Sequence, residues 1–151
     1  MRDRSEPLRW VLLVTDGMAM AYPAEVYADE RVAEREAERW ARLLSNGGRL
    51  PVERPFPGRW EIGDFWVRLV QTFLHDESPE IWVGTYWTRH GFPEPEAALF
   101  SDRAEAKEWA ITPPRGGVVS EVHETPWFVA ATFRVHGTEE DAIVQLAKSV
   151  S

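Results

Sequence analysis

Cysteine is absent from the 151 residues, which excludes disulfides, thiolate nucleophiles, cysteine-ligated zinc and iron–sulfur clusters in one step. Lysine is scarce. Of 17 basic residues only Lys107 and Lys148 carry an ammonium, and Asn46 is the one asparagine, a bias that a GC-rich bacterial genome produces. Long apolar runs are missing too: the run at residues 10–14 is five residues long, too short for the core of a signal peptide and far too short for a membrane span. A cytoplasmic protein with no membrane partner is therefore expected. Net positive charge is also lacking. The formal charge is −8, and Arg31, Arg35 and Arg39 alternate with Glu30, Glu34 and Glu38 instead of gathering on one face. Such a surface repels a phosphate backbone, so nucleic acid is not expected as a partner.

What is present is enough chain for one domain, residues 1–151, since a domain of this length buries roughly 68–70% of the surface its unfolded chain exposes. Residues 8–15 read as a buried strand ended by the turn signal Asp16-Gly17, and Pro23 precedes a short strand through Val26 and Tyr27. Asp29 is placed to cap a helix in which Ala33, Ala37, Trp40 and Leu44 recur at helical spacing, until Asn46-Gly47-Gly48 stops it. Residues 49–63, with three prolines, read as an irregular connection in which Phe56 and Trp60 seek burial.

Two long aromatic and β-branched segments follow, DFWVRLVQTFL and EIWVGTYWTR, separated by the turn-like residues 75–79. They predict an antiparallel hairpin pairing Phe73 with Trp82 and Leu69 with Tyr86, with Arg68 opposite Trp87. Both faces of that hairpin are more apolar than a half-exposed one requires. Either helices and the irregular segment cover them, or one side meets a partner. Residues 97–100 then form a short strand, Ser101 or Asp102 caps a helix through Ala106, Trp109 and Ala110, and Pro113-Pro114 with Gly116-Gly117 stops it. VVSEVH and WFVAATFRV flank Glu-Thr-Pro as a second hairpin, and Thr138 opens a last helix. The fold class expected is α+β, a mostly antiparallel sheet of about six to eight strands with three helices.

Residues 7–44 and 79–111 resemble each other. Superposing Asp29 on Asp102 brings Trp10-Val11 close to Trp82-Val83 and sets each acidic cap before a helix carrying a tryptophan. A duplicated ββα unit explains this, because one unit alone leaves its faces bare; recurrent caps and turns explain it equally. In either case Trp40 and Trp109 lie on the alanine-rich stripes of their helices, where core packing is the plain expectation.

Catalytic chemistry is hard to assemble. The four histidines, His75, His90, His123 and His136, fall at strand ends, in pairs held far apart by the expected hairpins, and the His-Glu-x-x-His spacing is missing, so no metal site and no cofactor is expected. There is no Gly-x-Ser-x-Gly elbow, and the glycine pairs follow helices where a phosphate loop would precede one. With 25 acidic residues, a carboxylate–histidine pair can be imagined almost anywhere. The remaining feature is aromatic weight, eight tryptophans, a residue type favoured with arginine at interaction hot spots.

The reading that follows is a non-catalytic protein-binding protein of the bacterial cytoplasm, of the immunity-protein or adaptor kind, binding a protein partner of basic character through Trp66, Arg68, Trp87 and Arg89. The alternative is a small-molecule binder or small enzyme with a cleft lined by Tyr22, Trp60, Tyr86, His90 and His123. Self-association as a homodimer through the apolar second face of the long hairpin is a third reading.

Overall fold

In the computed structural model, residues 8–15, 21–74, 81–88, 95–112 and 118–134 are described. The first strand, β1 (Leu8–Thr15), pairs antiparallel with β2 (Ala21–Tyr27). The helix α1 (Glu30–Leu44) follows, capped as expected by Asp29, whose Oδ1 accepts from the backbone N–H of Arg31 at 2.8 Å and of Val32 at 3.4 Å. Its stop is the left-handed run Asn46, Gly47 and Gly48, with φ of 56°, 71° and 92°. Then come β3 (Glu53–Phe56), β4 (Arg59–Ile62), β5 (Phe65–Phe73), β6 (Trp82–Thr88), β7 (Glu96–Phe100), α2 (Arg103–Ala110), β8 (Val118–Thr125) and β9 (Phe128–Arg134). Asp102, not Ser101, caps α2 by accepting from the Glu105 N–H at 3.3 Å.

The strands form two sheets, ordered β2-β1-β5-β4-β3 and β7-β6-β9-β8. All pairings are antiparallel except β6 with β9, which is parallel. The sheets face each other. Val11, Leu13, Ala21 and Trp66 of the first meet Val83, Ala97, Leu99, Phe128 and Ala130 of the second in one buried cluster. Behind the first sheet, Leu12, Trp60, Ile62, Val67 and Leu69 pack against Ala33, Ala37 and Ala41 of α1. Behind the second, Tyr86, Val129 and Ala131 pack against Ala106 and Ala110 of α2. The layers therefore run helix, sheet, sheet, helix. Because side chains alternate along a strand, one parity of each central strand meets the opposite sheet and the other meets a helix. Trp40 and Trp109 flank the two alanine stripes, half-buried against the outer clusters. The described residues include no helix long and apolar enough to cross a membrane.

The α+β class holds, but three expectations need correction. The long hairpin does not exist: β5 lies between β1 and β4, and β6 lies between β7 and β9, in the other sheet. Both segments are apolar on both faces because each is a central strand covered by a helix on one side and by the opposite sheet on the other. Second, residues 49–63 are not irregular throughout. They contain the hairpin β3–β4 around Pro57-Gly58, and Pro55 is tolerated because β3 is an edge strand, where no ladder bond need be lost. Third, the described residues hold nine strands in two sheets and two helices; the expected third helix, around residues 139–150, lies outside the described residues, as do the turn at Asp16-Gly17 and residues 113–117. The second short hairpin is found as expected, between β8 and β9.

The two halves follow one plan. Each begins with an antiparallel strand pair and a helix, β1-β2-α1 and β6-β7-α2, and continues into a hairpin, β3–β4 and β8–β9. Removing β5 from the first sheet leaves β2-β1-β4-β3, the counterpart of β7-β6-β9-β8. The extra strand also decides the polarity. With β5 inserted, β1 acquires an antiparallel neighbour, whereas β6 lies directly against β9 in parallel.

Candidate functional site: a cleft at the edge of the sandwich

Among the described residues a concavity lies where the edge strand β2 passes the start of β6 and the β8–β9 turn. It encloses about 470 Å³, between Tyr22, Pro23, Ala24, Glu25 and Val26 on one wall and Ile81, Val83 and Thr125-Pro126-Trp127-Phe128 on the other. That volume lies within the range of small-molecule pockets, roughly 300–1,000 Å³. The β2 wall bends because its register with β1 slips between Leu12 and Leu13, leaving a bulge around Ala24. A proline and a bulge on an edge strand both discourage a further strand from pairing there.

The opposite wall is built by a two-residue turn. Thr125 pairs with Phe128, so Pro126 and Trp127 occupy the two central positions, and Trp127 has φ of 68°. Proline followed by a positive-φ residue is the pattern of a type II turn, where glycine is the usual second choice. The first half provides that comparison. Phe56 pairs with Arg59 around Pro57 and Gly58, and Gly58 has φ of 84°. Both positive-φ residues are tied down in the same manner: Leu69 N–H donates to the Gly58 carbonyl at 2.9 Å, and Val83 N–H donates to the Trp127 carbonyl at 2.8 Å. A bulky residue in the left-handed region costs free energy that glycine avoids. Trp127 is nevertheless 46% exposed, so burial offsets only part of that cost. Its ring rests on Trp82, with centroids 5.1 Å apart and planes at 52°.

At the other end of the cleft Tyr22 touches Phe128, 5.9 Å between centroids, and meets His123 edge-on at 5.0 Å. Among the described lining residues Glu25 is the one carboxylate, and neither arginine nor lysine occurs. Outside the cleft, where Tyr27 packs against the cluster beneath α1, burial, then the charges of Glu36 and Glu25, push its hydroxyl above the usual tyrosine range, Arg39 opposing them. The described residues of the cleft thus offer aromatic faces, apolar groups and one carboxylate.

Of the residues expected to form an interface, the structure describes the side chains of Trp66 and Arg68. Trp66 is buried between the sheets, with the Arg59 guanidinium 5.3 Å from its ring. Arg68 lies 5.5 Å from the Phe56 ring and donates to the Gly58 carbonyl at 3.2 Å and to the Leu69 carbonyl. The arginine–aromatic contact expected for Arg68 therefore exists, but with Phe56 of β3, because β5 does not run beside β6. The Trp87 side chain and Arg89 lie outside the described residues. Phe56 is 40% exposed whereas Trp60 is buried. Of the alternative cleft residues, Tyr22 and His123 are brought together. Trp60 is buried under α1 with Arg54 stacked 4.4 Å from its ring, and Tyr86 is buried under α2, 4.7 Å from Trp109. Two sheets separate them. His90 lies outside the described residues. The face expected to support a homodimer, Val70, Leu74, Ile81 and Val83, packs into the inter-sheet cluster.

Trp127 is not singled out by the sequence, because it reads as the first residue of a strand. A signal was available. Thr-Pro-Trp-Phe stands where the first half has Phe-Pro-Gly-Arg, and proline at the first central position of a two-residue turn places its successor at the positive-φ position. Comparison with protein-family models, with curated proteins and with solved structures finds no match to this chain.

Proposed function

We propose that the chain is a non-catalytic protein-binding protein and that the cleft between β2 and the β8–β9 turn is its interface, with Trp127 as the anchor. One observation carries the reading: a tryptophan occupies a strained left-handed turn position, about half-exposed at the rim of a cleft, where the equivalent turn holds glycine. Backbone strain at an exposed aromatic is retained where the side chain has a task outside the fold, and tryptophan is the residue type most favoured at binding hot spots. A bacterial cytoplasmic setting, with the immunity-protein or adaptor class, is part of the same proposal, as is the origin of the two halves in a duplicated ββα unit covering residues 7–44 and 79–111.

The test is affinity with a partner isolated from the source cells and then purified. Trp127→Asn keeps a residue that tolerates the left-handed region, and it should weaken the complex by roughly 30-fold or more, as hot-spot loss does. Leu43→Ala, which trims an exposed residue of α1 on the far side of the first sheet, should leave affinity unchanged. Full affinity in the Trp127 variant sinks the assignment.

A second reading rests on the Tyr22–His123 contact beside the cavity: the cleft holds a small molecule, with His123 exchanging protons. Glu25 is then the one described lining carboxylate available to pair with it. A tightly held small metabolite that co-purifies with the chain and is lost in Tyr22→Ala would favour this reading over the first.

A further inference from the structure

We infer that the cleft receives an arginine side chain from the partner, its guanidinium set against the Tyr22 and Trp127 rings and paired with Glu25. This rests on the protein-binding reading above and specifies what is bound. The first argument is charge. The chain carries −8 overall, and Glu25 is the one charged residue among the described lining of the cleft, so that lining favours a cation over an anion. The second argument is the chain's own practice. In the first sheet Arg54, Arg59 and Arg68 lie 4.4, 5.3 and 5.5 Å from the rings of Trp60, Trp66 and Phe56. The surface rings at the cleft, Tyr22 and Trp127, are 37% and 46% exposed and offer the same quadrupole to an incoming cation.

The third argument concerns the form of the ligand. Pro23 and the bulge near Ala24 make β2 a poor template for strand addition, whereas a cavity of about 470 Å³ accommodates a long side chain projecting from a loop or helix. Guanidinium suits it better than ammonium. It is planar, weakly hydrated, stacks on aromatic faces and can give a carboxylate two parallel hydrogen bonds.

The experiment uses the whole chain and three blocked tripeptides, Gly-Arg-Gly, Gly-Lys-Gly and Gly-citrulline-Gly, citrulline being the neutral counterpart of arginine. Binding is read from the indole N–H resonances of Trp82 and Trp127, assigned with Trp→Phe variants. The arginine peptide should shift the Trp127 resonance saturably, at an affinity about tenfold above the citrulline peptide and above the lysine peptide. Glu25→Gln should remove most of that advantage while leaving the melting temperature within a degree or two, since Glu25 is exposed. Citrulline binding as well as arginine, no response to any peptide, or an unaltered preference in Glu25→Gln overturns the inference. Lysine binding as tightly as arginine overturns the choice of guanidinium. None of these outcomes touches the role of Trp127, which is decided by the affinity of its Asn variant for the purified partner.

Discussion

Replacing Trp127 by alanine and, separately, by glycine separates backbone strain from side-chain packing. Both substitutions delete the same indole and the same contact with Trp82 at 5.1 Å, so those losses cancel between the variants. What differs is the main chain. At φ of 68° a residue with a Cβ is disfavoured by about 1–2 kcal/mol, whereas glycine has no such penalty but loses about 0.4–1 kcal/mol through the greater freedom of its unfolded chain. The glycine variant should therefore be the more stable of the two by about 0.5–1 kcal/mol, the reverse of the order at an ordinary strand or helix position. For a chain of this length the gap corresponds to about 1–4 °C in Tm. Urea titrations followed by far-UV circular dichroism would measure it as a shift in midpoint at constant slope. An alanine variant as stable as the glycine variant, or more so, refutes the left-handed turn and removes the reason for singling out Trp127.

Two further perturbations test the scaffold around the cleft. A Cβ added at Gly84 of β6 would lie 3.0 Å from the Ala106 carbonyl oxygen and 3.2–3.3 Å from ring atoms of Phe100 and Trp109, so Gly84→Ala should push α2 off its sheet and cost about 1–3 kcal/mol; a neutral result by thermal denaturation would mean that α2 does not approach so closely. Glu124 of β8 accepts from Lys107 Nζ at 3.0 Å and is paired with Arg103, and these hydrogen bonds, Lys107 foremost, hold its carboxyl below the ordinary value of 4.5. A depressed folded pKa contributes stability above the unfolded value and loses it as pH falls through the folded one. The stability gap between the wild type and Glu124→Gln should accordingly shrink between pH 6 and pH 3, and a gap independent of pH would count against the pairing.

Much of the fold was legible because it rests on local chemistry. The period-3.6 alanine and tryptophan stripes, the Asp29 and Asp102 caps and the Asn46-Gly47-Gly48 stop each act within a few residues, and they define α1 and α2 almost to their ends. The pairing of the two long strands was not legible. Alternation and β-branching specify that a segment is a strand, but not which neighbour satisfies its backbone, and DFWVRLVQTFL and EIWVGTYWTR have equally good partners in each other and in the strands of their own halves. Residues 49–63 were misread because three prolines argue against a central strand and are silent about an edge one.

The candidate site divides in the same way. Composition alone determined that the chain has no cysteine chemistry, a net charge of −8 and eight tryptophans to place. Only the tertiary structure decided which aromatics are spent on packing. Trp60, Trp66 and Tyr86 are buried on three different faces, while Tyr22 from β2, Glu25 beside it and Trp127 from a turn about a hundred residues later line one cleft. The physical reason is that a cleft between two sheets depends on long-range contacts between segments whose local sequence signals only a strand and a turn; their meeting is determined by the packing of both halves around one inter-sheet core.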